Sequence, residues 1–440
     1  MKPARSLIPI GTATLLPHTA QRVRKLEDQL LVYLSRWGYQ EIILPTFEYL
    51  DVLSVGLAPE ILEKCYKFAD RTSGRMLVLR PDATAQIARM VAMGLGGNVL
   101  PLRFSYRTTV FRHELEHCGR DREVFQVGIE LVGNDTAQGD AEVVTMLAGV
   151  CEQAGLPEWK ISLGHVGFLK ALLARSGLSV TGRKQAELAA AHKDLPQLEQ
   201  ILSTERLPRG IVRNILQVPE RCGQQDVLEW GKQIADKDAQ LLKPLHRLEQ
   251  VFQQLEYAGI QQHVLIDLGE FRGFDYYDGV VFDVFTSGVG CEIGGGGRYN
   301  HLIGRFGQDR PAIGFALDLD RLFAALERGE HAGSNGFTPV LLLASASQSR
   351  ESFLLAQSLR AEGISVIVET LRQARTSSIP WAEQEARRRG LFRVLLYEQK
   401  KGVTTVLLLE LSGSSRKPRQ TRVALQALPQ RLRAEIHGDF

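Results

Sequence analysis

A chain of 440 residues with 44% hydrophobic and 23% charged residues is too long for one compact core, so we expect two or three globular domains. Its net charge of +3 excludes a general polyelectrolyte partner. The five cysteines stand singly, and no segment offers the roughly twenty apolar residues of a membrane span. We therefore expect no disulfide framework and no membrane insertion, and we predict a cytoplasmic location with reduced thiols.

The first 326 residues read as one mixed core. Residues 18–37 carry apolar side chains at helical spacing and are followed by Gly38, which predicts an amphipathic helix. Strand-like runs follow at 42–45, 76–79, 102–110, 123–132, 159–163, 264–268, 280–285 and 291–293, with helices at 136–155 and 317–326. Because few helices separate these strands, their order predicts an α+β fold on an antiparallel sheet. Residues 184–257 read as a helical insertion, broken at Pro208 and Pro219.

The remaining residues read as a second, smaller domain. Residues 327–338 have the glycine-rich composition of a linker. Beyond them, strands at 340–343, 364–368 and 394–397 alternate with helices at 347–362 and 381–389, which predicts a small α/β domain over 339–440. This domain is rich in lysine and arginine. A solvated surface explains that composition better than an RNA-binding face, although the sequence leaves both open.

Two groups of polar residues follow strands in the first half of the chain. Asp82 and Thr84 can together accept hydrogen bonds from an ammonium group, although Asp82 fits a helix cap equally well. Further along, Gln126 and Glu130 have like parity on one predicted strand, so they face the same side of the sheet. The arginines near the base of the preceding loop suit phosphate or carboxylate, but a salt-bridged surface hairpin is the simpler interpretation of that loop alone. Those arginines are Arg112 and Arg120.

The densest group lies between residues 272 and 321. Arg272, Tyr276 and Tyr277 offer a cation and two phenols. The run of glycines at 294–297 permits close backbone approach to a ligand but is individually unspecific. It is followed by Arg298 and by the stretch GFALDLDR, which holds Asp318, Asp320 and Arg321. The histidines 113, 117 and 301 do not repeat at metal-ligand spacing, so we expect no metal.

Taken in order, these motifs resemble the catalytic core of class II aminoacyl-tRNA synthetases, specifically the histidyl enzyme, over residues 8–326. The resemblance implies an antiparallel sheet of six or seven strands flanked by helices, and a dimer formed through the first long helix and the strand containing Pro45. The tail after residue 338 resembles that family's anticodon-binding domain. Residues that correspond to the surroundings of the bound histidine are Asp82, Thr84, Gln126, Glu130, Arg272, Tyr276 and Tyr277. Arg112 corresponds to the arginine that holds the ATP α-phosphate beside the amino acid.

The departures from the synthetase pattern lie on the nucleotide side. Asp82 stands where the synthetase has a glutamate, and Asp318 and Asp320 stand where it has glycine and glutamate. An added carboxylate near a polyphosphate is repulsive, so the resemblance implies that adenylate formation is impaired. The residues that we assign to this vestigial nucleotide side are Arg120, Arg298, Asp318, Asp320 and Arg321.

As a set, the motifs RPDAT, RGFDYY, GGGRY and GFALDLDRL resemble those of the synthetase's paralogue, the regulatory subunit of ATP phosphoribosyltransferase. That resemblance implies a noncatalytic subunit that joins a short catalytic subunit in a hetero-octamer, activates it, and senses histidine as an allosteric ligand at the first step of histidine biosynthesis. It implies no cofactor, and tRNA is not an expected partner. Residues 377–381 stand where a lysine-rich helix start is expected, so the C-terminal domain reads as a degenerate anticodon-binding domain. The alternatives are a functional histidine–tRNA ligase and a free-standing histidine-binding paralogue.

Overall fold

The computed structural model describes residues 8–97, 99–113, 122–205, 207–270, 276–329, 339–371, 379–400, 403–411 and 418–437. Its contacts divide the chain into two compact units, Met1–Gly333 and Ser334–Phe440. None of the helices in this described part of the chain is long and apolar enough to cross a bilayer.

Twelve strands and twelve helices form the described part of the first unit. The strands are β1 (Gln40–Glu41), β2 (Phe47–Tyr49), β3 (Lys67–Ala69), β4 (Met76–Leu79), β5 (Leu102–Phe111), β6 (Glu123–Val132), β7 (Trp159–His165), β8 (Cys222–Gly223), β9 (Val264–Asp267), β10 (Val280–Thr286), β11 (Gly294–Arg298) and β12 (Ala312–Asp318). The helices are α1 (Pro17–Ser35), α2 (Leu50–Leu53), α3 (Pro59–Glu63), α4 (Ala83–Ala92), α5 (Ala137–Ala154), α6 (Val166–Arg175), α7 (Val180–Ala191), α8 (Leu195–Thr204), α9 (Arg209–Gln217), α10 (Gln225–Ala235), α11 (Ala239–Tyr257) and α12 (Leu319–Gly329).

The main sheet has nine strands in the order β1-β5-β6-β12-β11-β10-β7-β9-β8. The pairs along its centre, from β5 to β7, are all antiparallel, as the strand order predicted. The sheet is wider than expected because β1 joins β5 in parallel and β9 joins β7 in parallel. A separate three-stranded sheet has the order β2-β4-β3.

Side-chain alternation gives the main sheet two different faces. Val127, Ile129 and Leu131 of β6 are fully buried in a cluster that also holds Leu30 and Leu34 of α1. The intervening positions of β6 point the other way, toward a second cluster that contains several tyrosines. Helices α1 and α5 therefore cover one face, the helix-covered face, and the opposite face, on which the shorter α4 packs, holds a polar site.

The predicted bounds of β4 and β6 match the structure, and those of α5 agree to within one residue at each end. Helix α5 starts after Thr136, whose side chain accepts the Gly139 N–H at 3.0 Å, and ends before Gly155 at φ +73°. The first predicted strand, residues 42–45, is wrong, because β1 comprises Gln40–Glu41 and Ile43 is 92% exposed.

The region from α7 to α11 is mostly helical, as its sequence predicted. Pro208 is the N-cap of α9 and Pro219 lies in a short 3₁₀ turn, so both prolines break the helical pattern. Helix α11 packs against α5 and α6, and its buried Leu245 and Leu248 belong to the main core. The last helix of the predicted insertion is thus part of the core.

In its described residues, the second unit is a five-stranded sheet with helices. Its elements are β13 (Val340–Ser345), α13 (Ser349–Ala361), β14 (Val366–Leu371), α14 (Ile379–Arg388), β15 (Arg393–Lys400), β16 (Val403–Glu410), β17 (Arg419–Ala424) and α15 (Leu428–His437). The order is β14-β13-β15-β16-β17, with the first three strands parallel. The βαβαβ pattern was predicted, whereas β16, β17 and α15 were not. Helix α12 of the first unit continues to Gly329, beyond the predicted linker start at 327.

Candidate functional site

A flat floor of glycines lies at the centre of the sheet face opposite α1 and α5. Glu130 of β6 pairs with Gly314 of β12, which pairs with Gly297 of β11. A Cβ atom on Gly314 would overlap the Glu130 carboxylate, and one on Gly297 would lie 2.9 Å from Cδ1 of Tyr277. The absence of side chains at these positions therefore makes room for the polar groups above the floor.

Glu130 is the buried acid of this site. Its Oε1 accepts the Thr84 hydroxyl at 2.7 Å, and its Oε2 accepts the Tyr299 hydroxyl at 2.5 Å. Only 1% of the residue is exposed. Burial raises the pKa of the Glu130 carboxyl to about 8, because the two hydroxyl donors offset only part of the desolvation and the nearby Asp82 charge adds to it. Glu130 is thus placed to gain charge when a cation enters.

Asp82 is a helix cap, as its sequence allowed, and its second carboxylate oxygen accepts a hydrogen bond from a phenol of the site. It is the N-cap of α4, where Oδ1 accepts the Thr84 N–H at 3.1 Å, and its Oδ2 accepts the Tyr276 hydroxyl at 3.0 Å. The rings of Tyr276 and Tyr277 lie 4.7 Å apart, and the ring of Tyr276 meets that of Tyr299 edge-on at 5.8 Å. Asp82 therefore also positions Tyr276, one of three tyrosines whose rings pack together beside Glu130.

Two tyrosines of this site were missing from the sequence prediction. Tyr299 belonged to a motif that we identified, but its bond to Glu130 depends on the pairing of β11 with β12 and of β12 with β6. Tyr106 is 1% exposed, and its hydroxyl occupies the space that a side chain on Gly128 would take. Burial, followed by the charges of Glu130 and Asp82, raises the pKa of Tyr106 well above its usual value. The register of β5 opposite β6, where Tyr106 faces Gly128, was the signal that could have found it.

The structure brings most of the predicted residues together. Gln126 lies on the same face as Glu130, opposite Asp318 in the register of β6 and β12. Arg112 directly follows β5, and its backbone N–H donates to the Arg122 carbonyl at 3.2 Å. Two other predicted residues, Arg120 and Arg272, lie outside the described residues.

The predicted nucleotide side carries an internal ion pair. Arg321 donates to the Glu292 carboxylate at 2.7 Å and to the Glu292 carbonyl at 2.8 Å, and its Nε lies 3.4 Å from Asp318. Asp318 also accepts the backbone N–H groups of Asp320 and Arg321 at 2.9 and 3.2 Å. Asp318 therefore acts as the cap of α12 and holds Arg321 in place.

Arg298 does not join this group. Alternation along β11 turns its side chain to the helix-covered face, away from Gly297 and Tyr299. There its Nε donates to Asp140 of α5 at 2.7 Å, and only 3% of Arg298 is exposed. Its assignment to the nucleotide side was wrong, because a strand residue next to two pocket residues must face the opposite way.

Comparison with known proteins identifies the family. The histidyl-tRNA synthetase family model matches residues 11–322. An ATP phosphoribosyltransferase regulatory subunit from Geobacter metallireducens is 33% identical over 394 residues, 90% of each chain. One from Moorella thermoacetica is 37% identical over 385 residues, 87% of this chain and 96% of the relative.

A solved structure agrees with these relatives. An ATP phosphoribosyltransferase regulatory subunit/histidyl-tRNA synthetase from Bacillus halodurans C is 28% identical and superposes with a TM-score of 0.77, covering 90% of this chain and 99% of that one. The predicted α+β, class II synthetase-like fold is thereby confirmed. With its glycine floor and buried acid on that fold, the chain belongs to the family of ATP phosphoribosyltransferase regulatory subunits, which are paralogues of histidyl-tRNA synthetase.

Proposed function

We propose that this chain is the noncatalytic regulatory subunit of an ATP phosphoribosyltransferase, which activates a short catalytic chain and binds histidine as a feedback inhibitor. The names of its relatives support this role. The main structural support for this role is that the two ends of one sheet face differ in the polar groups that are available to a ligand. Glu130 lies in a pocket of hydroxyl donors, whereas Arg321 on the nucleotide side is held by Glu292.

The pocket suits the groups of a free amino acid that carries an imidazole. The carboxylates of Asp82 and Glu130 can accept an ammonium or imidazolium donor, and the phenols around them supply further hydrogen bonds. Arg112 and Arg272 are our candidates for the ligand's carboxylate. The complete set that we assign to histidine is Asp82, Thr84, Arg112, Gln126, Glu130, Arg272, Tyr276 and Tyr277. Feedback further requires that histidine bind the inhibited assembly more tightly than the active one.

Adenylate formation is not expected at this site. An arginine that binds terminal phosphates has to be available to them, but Arg321 would first have to leave Glu292 and Asp318. The Asp318 carboxylate would also repel a polyphosphate, at an effective dielectric constant lower than that of water. Both effects weaken nucleotide binding, and neither changes the residues around Glu130.

The assembly that we propose follows from the family resemblance. Two copies of this chain pair through the synthetase-like core, and these dimers join the short catalytic chains in a hetero-octamer. Residues 339–440 are a degenerate anticodon-binding-like domain, and tRNA is not a partner.

The test is reconstitution with a short-form catalytic chain. We expect the two chains to co-purify and phosphoribosyl-ATP formation to require this chain. Histidine is expected to suppress that activity, with a coupling between sites of about 1–3 kcal/mol. Histidine-dependent exchange of pyrophosphate into ATP would instead identify a synthetase. Histidine binding with no complex of the two chains would identify a free-standing sensor.

A further inference from the structure

A second concave site lies on the helix-covered side of the sheet. It is a cleft of about 730 Å³ between the first half of α11 and the ends of β7, β10 and β11. The charged and titratable side chains of this lining that bear on a ligand are Asp135, His165, Lys243, Arg247, Asp278 and Arg298. None of these residues except Arg298 was among the predicted site residues.

Two arginines at the base of the cleft share one buried carboxylate. Arg247 donates through Nε to Asp140 Oδ2 at 2.6 Å, and Arg298 donates through Nε to Asp140 Oδ1 at 2.7 Å. Asp140 is fully buried, so a single enclosed negative charge faces two guanidinium groups. Arg298 is 3% exposed, and its Nη2, although within ion-pair distance of Asp140, makes no hydrogen bond within the described residues.

The upper part of the cleft adds further donors. Lys243 and Arg247 are four residues apart on α11, so they lie on one side of the helix. His165 Nδ1 accepts the Gly167 N–H at 3.0 Å, so its neutral ring carries the proton on Nε2. Burial and then the charges of Arg247, Lys243 and Arg298 lower the pKa of His165 to about 4, which keeps the ring neutral at physiological pH.

Two acids face the same cleft and limit its positive charge. Asp278 accepts the His301 N–H at 3.2 Å, and burial raises the pKa of its carboxyl. Asp135 is held loosely, with Oδ1 at 3.4 Å from Arg247 and 3.5 Å from Arg298, and 58% of its side chain is exposed. Its carboxylate therefore stands at the cleft rim as an anion that a better-fitting ligand can displace.

We propose that this cleft binds a small oxyanion of the phosphate class, which takes the place of the Asp135 carboxylate between Arg247 and Arg298 and is closed over by Lys243. Guanidinium groups match phosphate oxygens through paired, charge-assisted hydrogen bonds, and an ammonium group adds a point charge. A concave site of this size suits a small molecule. This proposal is independent of histidine binding, because the cleft and the glycine floor lie on opposite faces of the sheet.

The experiment titrates the full-length protein with inorganic phosphate and with pyrophosphate, at constant ionic strength in a phosphate-free buffer, followed by calorimetry. We expect saturable binding of at least one of the two anions, and the tighter of the two identifies the chain length that the cleft accepts. Lys243→Gln is expected to weaken binding about tenfold, whereas Asp135→Asn strengthens it severalfold because a competing anion is removed.

The matched control is Lys184→Gln, which removes the same charge from an exposed position on α7. It should leave anion binding unchanged. The proposal is overturned if neither anion binds saturably, if sulfate binds as tightly as both, or if Lys243→Gln and Lys184→Gln have equal effects. Circular dichroism of each variant separates a loss of binding from a loss of fold. Because Lys243 is exposed, we expect Lys243→Gln to remain folded.

Discussion

Glu130→Gln is expected to weaken histidine binding by about 10–100-fold while stabilising the ligand-free protein at pH 8. The substitution keeps the shape of the side chain and removes its ability to become an anion. Histidine loses a charge-assisted acceptor in a buried pocket, so its affinity falls. The empty pocket loses a group that is costly to ionise, so the free energy of unfolding rises.

The pH dependence follows from the raised pKa. Below about pH 4 the Glu130 carboxyl is protonated in both the folded and the unfolded protein, so it does not contribute to a pH dependence there. As the pH rises toward the folded-state pKa of about 8, the unfolded chain ionises and the folded protein does not, so stability falls over this window. Above about pH 8 the loss is complete. Urea unfolding at pH 5 and pH 8 should show this loss in the native chain and a smaller one in Glu130→Gln.

Histidine binding should have the opposite pH dependence. A cationic group of the ligand favours ionised Glu130, so binding releases a proton and affinity rises with pH between 6 and 8. Calorimetry in two buffers of different ionisation enthalpy measures that proton directly. Glu199→Gln, at an exposed position of α8, is the control and should change neither quantity. If Glu130→Gln and the native chain bind histidine with equal affinity, Glu130 does not contact the ligand.

Gly296→Ala is expected to destabilise the first unit by about 3 kcal/mol or more. A Cβ atom at Gly296 would come within 2.7 Å of Phe315 Cα and closer still to the Gly314 carbonyl oxygen. Both atoms belong to the backbone of β12, so they cannot move aside as a flexible side chain would. Relief requires separation of β11 from β12 at the centre of the sheet. Thermal unfolding monitored by circular dichroism measures the effect.

The matched control is Gly290→Ala, in the loop just before β11. Apart from its two chain neighbours, no atom of the described residues lies within 4 Å of the position that its Cβ would take, so stability should change by less than about 0.5 kcal/mol. If the two variants unfold at the same temperature, the close approach of β11 and β12 is not a constraint on the sequence. Histidine binding by the Gly296→Ala protein that remains folded shows whether the pairing of β11 with β12 also shapes the pocket.

The sequence by itself determined the fold class and most of the residues around Glu130. Helix α5 was predictable because Thr136 and Gly155 are local capping residues. Strand β6 was predictable because polar and apolar side chains alternate along its own residues. The motifs then pointed to the histidyl-tRNA synthetase family and to its regulatory paralogue. Capping residues, side-chain alternation and motifs each lie within a short segment, so they can be recognised in the sequence without the structure.

Only the tertiary structure decided the positions that depend on neighbouring strands. Glycine is a poor strand former, so the run at 294–297 was interpreted only as a place where the backbone can approach a ligand, and the strand was placed at 291–293. In the structure those glycines are β11, buried between β10 and β12. The same pairing sends Tyr299 to Glu130 and Arg298 to Asp140, on opposite faces. Register between distant segments is set by packing across the whole sheet, and no local pattern of residues contains it.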